Sequence, residues 1–214
     1  MKILGLSDEV VELIYSPALI DHYGDVDLVL GCGDLPFYYL EYVVTMLNKP
    51  LYYVPGNHDH SIQYMSDGRV VDRAEGGINL DGRTAREGSL LLAGLGGSIK
   101  YKSDGVHQYT QVEMRWRAAF LWRALFANRL RYGRALDILI THAPPRGIHD
   151  APDPAHVGFE GFLPFLRLVK PRYLLHGHSH LWGRNQVTCT RYAATEIINV
   201  YPYRLIEVPD VRAR

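Results

Sequence analysis

Six positions in this 214-residue chain carry groups that bind divalent cations or move protons: Asp8, Asp34, Asn57 with His58, His142, His178 and His180. Each follows a short β-rich run. Carboxylate, carboxamide and imidazole form a mixed oxygen and nitrogen ligand set that suits Mn, Fe or Zn, and no thiolate stands among them as a structural zinc knot would require. His58 adds a group that titrates near neutral pH beside the Asn57 carbonyl. Singly, each has a plainer explanation. A turn such as Pro55-Gly56-Asn57-His58-Asp59 is usually only a turn, and a lone histidine after a strand is usually structural. Their number and narrow chemistry argue for one site.

Such groups need strands to hold them. Lys2–Leu6 reads as a buried strand ending in Ser7-Asp8, Asp27–Gly31 as a second ending in Gly33-Asp34, and Leu51–Val54 as a third leading into Asn57. Loops at the C-terminal edge of α/β sheets converge on ligands. Between the strands, Ser16-Pro17 has the pattern of an N-cap followed by a first-position proline, opening a short helix toward Tyr23. Phe37–Leu47 has helical length and period, and Lys49-Pro50 closes it.

From Ile78 the pattern changes. Asn79–Arg83 and Ser89–Ala93 predict strands of a second, antiparallel sheet, with turns at Asp81-Gly82 and Glu87-Gly88. The run Gly94-Leu95-Gly96-Gly97-Ser98 has neither the ending of a P-loop nor G-x-G-x-x-G spacing, and reads as close backbone packing. Thr110–Arg131 predicts the longest helix, with Met114, Ala118, Leu121 and Leu125 as its core face and Trp116 and Trp122 packed beside them. Arg115, Arg117, Arg123, Arg129 and Arg131 read as its solvated side. Ala135–Ile140 is a further strand, ending in Thr141-His142. The proline-rich stretch after it is long enough for a binding loop. Phe159–Val169 predicts a helix and Tyr173–Leu175 a strand that leads into His176-Gly177-His178-Ser179-His180. Gln186–Cys189, Glu196–Val200 and Arg204–Val208 read as three antiparallel strands completing the second sheet. The expectation is one two-sheet α/β domain over residues 1–214.

Bulk composition bounds the function. Lys and Arg together equal Asp and Glu, giving zero formal net charge, so nothing pulls the whole molecule toward nucleic acid or an anionic membrane. The N-terminus turns polar too soon for a secretory segment, and no run approaches the roughly 18 apolar residues of a membrane span. Cys32 and Cys189 form no C-x-x-C pair and read as small core residues suited to a reducing, cytoplasmic setting.

In order and spacing the motifs resemble those of the calcineurin-like metallophosphoesterases, which run D-x-H, G-D, G-N-H-D/E, a strand-end His and G-H-x-H. Here they stand as Asp8-Glu9-Val10, Gly33-Asp34, Gly56-Asn57-His58-Asp59, Thr141-His142 and Gly177-His178-Ser179-His180. The match spans Asp8 to His180 and looks most like the small stand-alone bacterial enzymes of that superfamily. The resemblance implies a four-layer α-β-β-α sandwich of two mixed β-sheets flanked by helices. It also implies two divalent cations, Mn2+ foremost, bridged by Asp34: the first held by Asp8, Asp34 and His180, the second by Asp34, Asn57, His142 and His178. A hydroxide held between them would attack a phosphate monoester or diester, with His58 protonating the leaving oxygen.

Two departures matter. Val10 stands where the family has a histidine, which weakens the first site unless Glu9, Glu12 or water completes it. Phe37 stands where some branches carry an Asp that orients the catalytic His, leaving Asp59 as the adjacent carboxylate. Arg146 could bind a substrate phosphate through its planar fork, beside the Asn57 carboxamide. His60 and His149 lie near motif residues as outer support. His176 shares the strand of His178 but matches no family ligand. Val10 also supports the competing expectation of a scaffold or ligand-binding protein with weakened turnover. A nuclease would draw on the Arg-rich helix, against which zero net charge argues. Substrate choice is expected to lie with the Ala143–Phe159 loop and the segment after Asp59.

Overall fold

The structure, a computed structural model, describes residues 1–64, 68–180 and 186–209. Strands β1 (Lys2–Leu6), β2 (Leu28–Cys32) and β3 (Leu51–Val54) alternate with helices α1 (Ala18–Tyr23) and α2 (Phe37–Leu47). The short pair β4 (Gln63–Tyr64) and β5 (Val70–Val71) follows, then β6 (Ile78–Asn79), the hairpin β7 (Thr84–Glu87) and β8 (Leu90–Leu95), and the pair β9 (Ser98–Ile99) and β10 (Gln108–Tyr109). Helices α3 (Gln111–Phe120) and α4 (Trp122–Tyr132) lead to β11 (Ile138–Thr141), α5 (Phe162–Val169) and β12 (Tyr173–His176). The chain finishes with β13 (Cys189–Tyr192), β14 (Thr195–Asn199) and β15 (Tyr203–Glu207).

Two sheets result. One has the order β15-β1-β2-β3-β6, the other β13-β14-β12-β11-β8-β7. Both have parallel centres, with one antiparallel edge (β15) in the first sheet and two (β13 and β7) in the second, so the centres must be covered on both faces. Strand alternation provides this. Ile3, Leu28, Leu30 and Cys32 point between the sheets with Leu90, Leu92, Ile138 and Ile140, while Leu4, Leu6 and Val29 point the other way, beneath α1 and α2. Leu139 and Leu174 turn to a third cluster shared with Met114, Leu125 and Phe165 on α3 to α5. Each such side chain contributes roughly 1.5–3 kcal/mol by leaving water. The four layers are therefore helix, sheet, sheet, helix, as the motifs implied.

Several sequence expectations are corrected. Residues 79–83 do not form a strand of the second sheet. Ile78–Asn79 joins the edge of the first sheet, and the hairpin of the second begins at Thr84. The second sheet is mixed, because βαβ crossovers force its central strands parallel. β15 returns to pair antiparallel with β1. The long helix breaks at Leu121, whose amide reaches the Ala118 carbonyl in a tightened i to i+3 turn. Its start was legible: Thr110 and Glu113 form a reciprocal capping box. Ser16 caps no helix, since its hydroxyl donates back to the Leu13 carbonyl. Trp116 is 64% exposed and Cys189 is exposed too, so neither is a core residue. The glycine run packs closely, as expected; a Cβ on Gly94 would lie 2.6 Å from Val54.

Candidate metal centre

Five strand ends converge. Asp8 follows β1, Asp34 follows β2, Asn57 follows β3, His142 follows β11 and His178 follows β12. Asp8, Asp34, His142 and His178 each offer one ligand atom, and these atoms all lie within 4.8 Å of one another. The Asn57 Oδ1 lies 3.0 Å from His142 Nε2, and Asp34 Oδ2 lies 3.3 Å from the same nitrogen. His180 stands at the rim, its Nε2 3.5 Å from Asp8 Oδ1 and its ring stacked on Tyr201.

The surroundings fix which atoms face inward. His142 Nδ1 donates to the Cys32 carbonyl at 2.8 Å, so Nε2 is the ring nitrogen that faces Asp34 and Asn57. His178 Nε2 donates to the Ala155 carbonyl at 2.8 Å, which leaves Nδ1 as its ligand atom. Asp8 Oδ2 accepts from the Ser7 hydroxyl and from the His178 amide, whereas its buried Oδ1 has the His180 imidazole at 3.5 Å and no closer donor among the described residues. Asp34 Oδ1 accepts the His58 amide at 2.7 Å. A buried carboxylate oxygen served only by an imidazole at 3.5 Å leaves room for a closer cation, which would offset the cost of its burial. The donor set fits a divalent metal.

Backbone conformation takes part. Asp8, Asp34 and His178 have φ of 65°, 56° and 64°, the left-handed region that Asp, Asn and His tolerate better than most side chains. Close loop approach depends on the motif glycines. A Cβ on Gly56 would lie 2.5 Å from Asp34 Cγ, and one on Gly33 would lie 2.5 Å from His142 Nδ1.

Charge explains the proton positions. Burial favours a neutral Asp34, but His142 and the His58 amide overcome it and hold the carboxyl far below the carboxylate range. Burial likewise opposes ionisation of Asp8, which His180 and His142 counter, lowering it. For His142, burial favours the neutral ring, yet Asp34 and Asp8 push it up to about 10. Burial and the His142 charge push His178 down to about 3. His142 and His180 are thus both drawn toward the charged form by the two buried carboxylates.

His58 is exposed, and its ring lines a cavity of about 220 Å3 together with Asp8, Asp34, Asn57 and His178. Asp59 does not serve it through Oδ2, which accepts the amides of Asp34 and Gly56 at 2.9 and 2.8 Å and so locks the two motif loops together. Arg146 is half-exposed, 4.0 Å from Asp150, and does not line this cavity. Val10 packs against the apolar cluster beneath α1 and α2, and Glu9 accepts the Tyr201 hydroxyl at 3.0 Å. His149 and His176 bond to each other at 2.8 Å, with His149 reaching on to Thr190.

A model of the calcineurin-like phosphoesterases matches residues 1–181, which takes in every motif position. The chain belongs to the calcineurin-like phosphoesterase family. One solved structure aligns with 96% of this chain and 94% of its own at 15% identity, with a TM-score of 0.64. TT1561 of Thermus thermophilus aligns over 93% of this chain and 88% of its own at 16% identity, TM-score 0.60. Vps29 of Chaetomium thermophilum aligns over 99% of this chain and 84% of its own at 13% identity, TM-score 0.41. The first two likenesses show the shared fold. No curated protein matches the chain.

Within this calcineurin-like phosphoesterase, three contributors escaped the sequence reading. Ser7 anchors Asp8, Ala155 sets the tautomer of His178, and the Tyr101 hydroxyl accepts from Asn57 Nδ2 at 3.3 Å on the cavity wall. Ser7 adjoins a motif and could have been suspected. Ala155 acts through its backbone and Tyr101 through a distant loop, so neither had a signal. Among the described residues, no helix is long and apolar enough to cross a membrane.

Proposed function

We propose that this chain hydrolyses a phosphate monoester or diester with two divalent cations, Mn2+ foremost, and with His58 as the proton donor. Asp8, Asp34 and His180 would hold the first cation, and Asp34, Asn57, His142 and His178 the second. The observation that carries the reading is a cluster of two carboxylates and two imidazoles whose ligand atoms lie within 4.8 Å of one another, with the His180 imidazole 3.5 Å from the buried Asp8 Oδ1 at its rim. Bound divalent ions supply an activated water at neutral pH and neutralise charge on the phosphoryl oxygens. The chain's own residues do the rest. Asp34 is aimed by the His58 amide, and Asn57 is aimed by Tyr101. His58, exposed on the cavity wall, is free to approach the leaving oxygen and give up its proton.

The test is His58→Ala in Mn-reconstituted protein. Metal content should stay, while turnover of bis-p-nitrophenyl phosphate should fall by roughly 10²–10⁴-fold, the range for a general acid. An unchanged rate removes His58 from the mechanism. A second reading, a ligand-binding protein with weakened turnover, rests on Val10, which lies in apolar packing where the family supplies an imidazole. Metal binding with no hydrolysis of any ester by the wild-type protein would decide for it.

A further inference from the structure

His58 and Asp34 line two cavities. One is the space of about 220 Å3 lined also by Asp8, Asn57 and His178; the other, of about 570 Å3, is lined also by residues at the start of α2 and after Asp59. The proposed reaction places the leaving oxygen at His58, because its proton comes from there. The rest of the leaving group then extends past His58, into the larger cavity.

The walls of that cavity have a definite character. Pro36 and Tyr38 form one side, and Ile62 and Tyr64 line it from the segment after Asp59. Tyr38, Ile62 and Tyr64 are 44%, 51% and 83% exposed, a concentration of apolar surface left open to solvent beside polar chemistry. Tyr38 is braced edge-on by Tyr15 at 5.7 Å between ring centres. Gln63 accepts the Phe37 amide through Oε1 at 3.0 Å, which ties this wall to the start of α2 and leaves its NH2 group as a donor. Among the described residues, no lysine or arginine lines the space, while Asp34 and Asp59 do. A leaving group bearing further phosphates would find no lysine or arginine to pair with there. The volume falls in the range of roughly 300–1,000 Å3 typical of small-molecule sites.

We infer that the larger cavity receives the leaving group of the substrate, and that this group is uncharged and carries an aromatic ring. The ring would lie against Tyr38 and Tyr64, with the Gln63 amide available to an acceptor on its edge. In the reaction the bond from phosphorus to the leaving oxygen breaks, and that oxygen keeps the electron pair and takes the His58 proton. The new bond to phosphorus comes from water. The inference rests on the phosphoesterase reading with His58 as donor.

Its test uses ester pairs whose leaving alcohols differ mainly in the aromatic ring: adenosine 5′-phosphate against glycerol 3-phosphate, and a dinucleoside monophosphate against diglycerol phosphate. Mn-loaded protein should favour the ring-bearing member of whichever class it hydrolyses by about tenfold or more in kcat/KM. Tyr38→Ala and Tyr64→Ala should each cut that preference about tenfold, as expected for a base losing an aromatic stacking partner. Equal turnover of both members, or a preference that survives both substitutions, overturns the assignment while hydrolysis of bis-p-nitrophenyl phosphate keeps the phosphoesterase reading intact. If no ester is hydrolysed, that reading falls and the cavity is read by adenosine titration followed by NMR. Binding that disappears in Tyr38→Ala retains an aromatic-ligand site, and no binding to the wild-type protein overturns it.

Discussion

Gly56→Ala perturbs the centre without removing any polar group. The new methyl carbon would stand 2.5 Å from both Cγ and the backbone nitrogen of Asp34, and closer still to Oδ1. Comfortable carbon contacts lie near 3.5–4.0 Å, so the two loops must part by about 1 Å. Asp34 cannot follow that movement and keep its partners. Its Oδ1 accepts the His58 amide at 2.7 Å, its Oδ2 faces His142 at 3.3 Å, and its own amide shares Asp59 with the amide of residue 56. Forcing an extra methyl into packed space costs roughly 1–3 kcal/mol, which lowers Tm by about 2–4 °C per kcal/mol in a chain of this size. The functional cost should be larger. A misplacement of ~1 Å can remove about 10²-fold in rate, and disturbing the groups that orient metal ligands costs about 10–100-fold in affinity. The assay pairs Mn2+ titration by calorimetry with bis-p-nitrophenyl phosphate turnover, on protein whose far-UV spectrum shows it folded. A variant that melts lower yet binds Mn2+ and turns over like wild type would refute the claim that loop spacing at Gly56 sets the position of Asp34.

Asp34→Asn should impair both cations together if the residue bridges them, so elemental analysis showing one full site and one empty site contradicts the bridge. Val10→His should destabilise the fold, because residue 10 packs against apolar side chains, and should raise Mn2+ occupancy only if the new imidazole turns toward Asp8; thermal melts and metal content separate the two effects. In metal-free protein, His142 is raised to about 10 against an ordinary value near 6.5, so its stabilisation is complete below about pH 6.5 and is lost as pH rises through 10. Burial pushes His176 down to about 3, so its contribution is present above about pH 6.5 and is lost as pH falls toward 3. Melting temperature in EDTA should therefore be highest near pH 6.5, and Asp34→Asn should flatten the alkaline limb; a plateau from pH 6.5 to 10 in the wild-type protein contradicts the account of His142.

The parts of the fold legible in the sequence were those set by local chemistry. The bounds of α2 and β3 follow from their period and closing prolines. The glycines and acids at strand ends announce themselves because few residue types can do their work. What could not be read depends on partners remote in sequence. β15 reads as one more amphipathic strand, and only the neighbourhood of β1 decides which sheet takes it. Trp116 stands two residues from both Met114 and Ala118, off the face they bury, so its place on the helix and not its residue type decides its exposure. The tautomers of His142 and His178 are set by the carbonyls of Cys32 and Ala155, groups every residue has, so no residue type marks them.

The left-handed backbone at Asp8, Asp34 and His178 bears on how mutational scans of this centre must be interpreted. Alanine at any of the three removes a candidate metal ligand and also places a residue with a Cβ, and no polar side chain to compensate, where φ is near 60°, at a cost of roughly 1–2 kcal/mol in backbone energy alone. A loss of expression or melting temperature in such a variant then reports conformation and chemistry mixed together. Asparagine at positions 8 and 34 keeps both the shape and the tolerance for positive φ while removing the charge, so it isolates the electrostatic contribution. The same constraint narrows the residues that evolution can sample at these positions to a handful of short polar side chains and glycine.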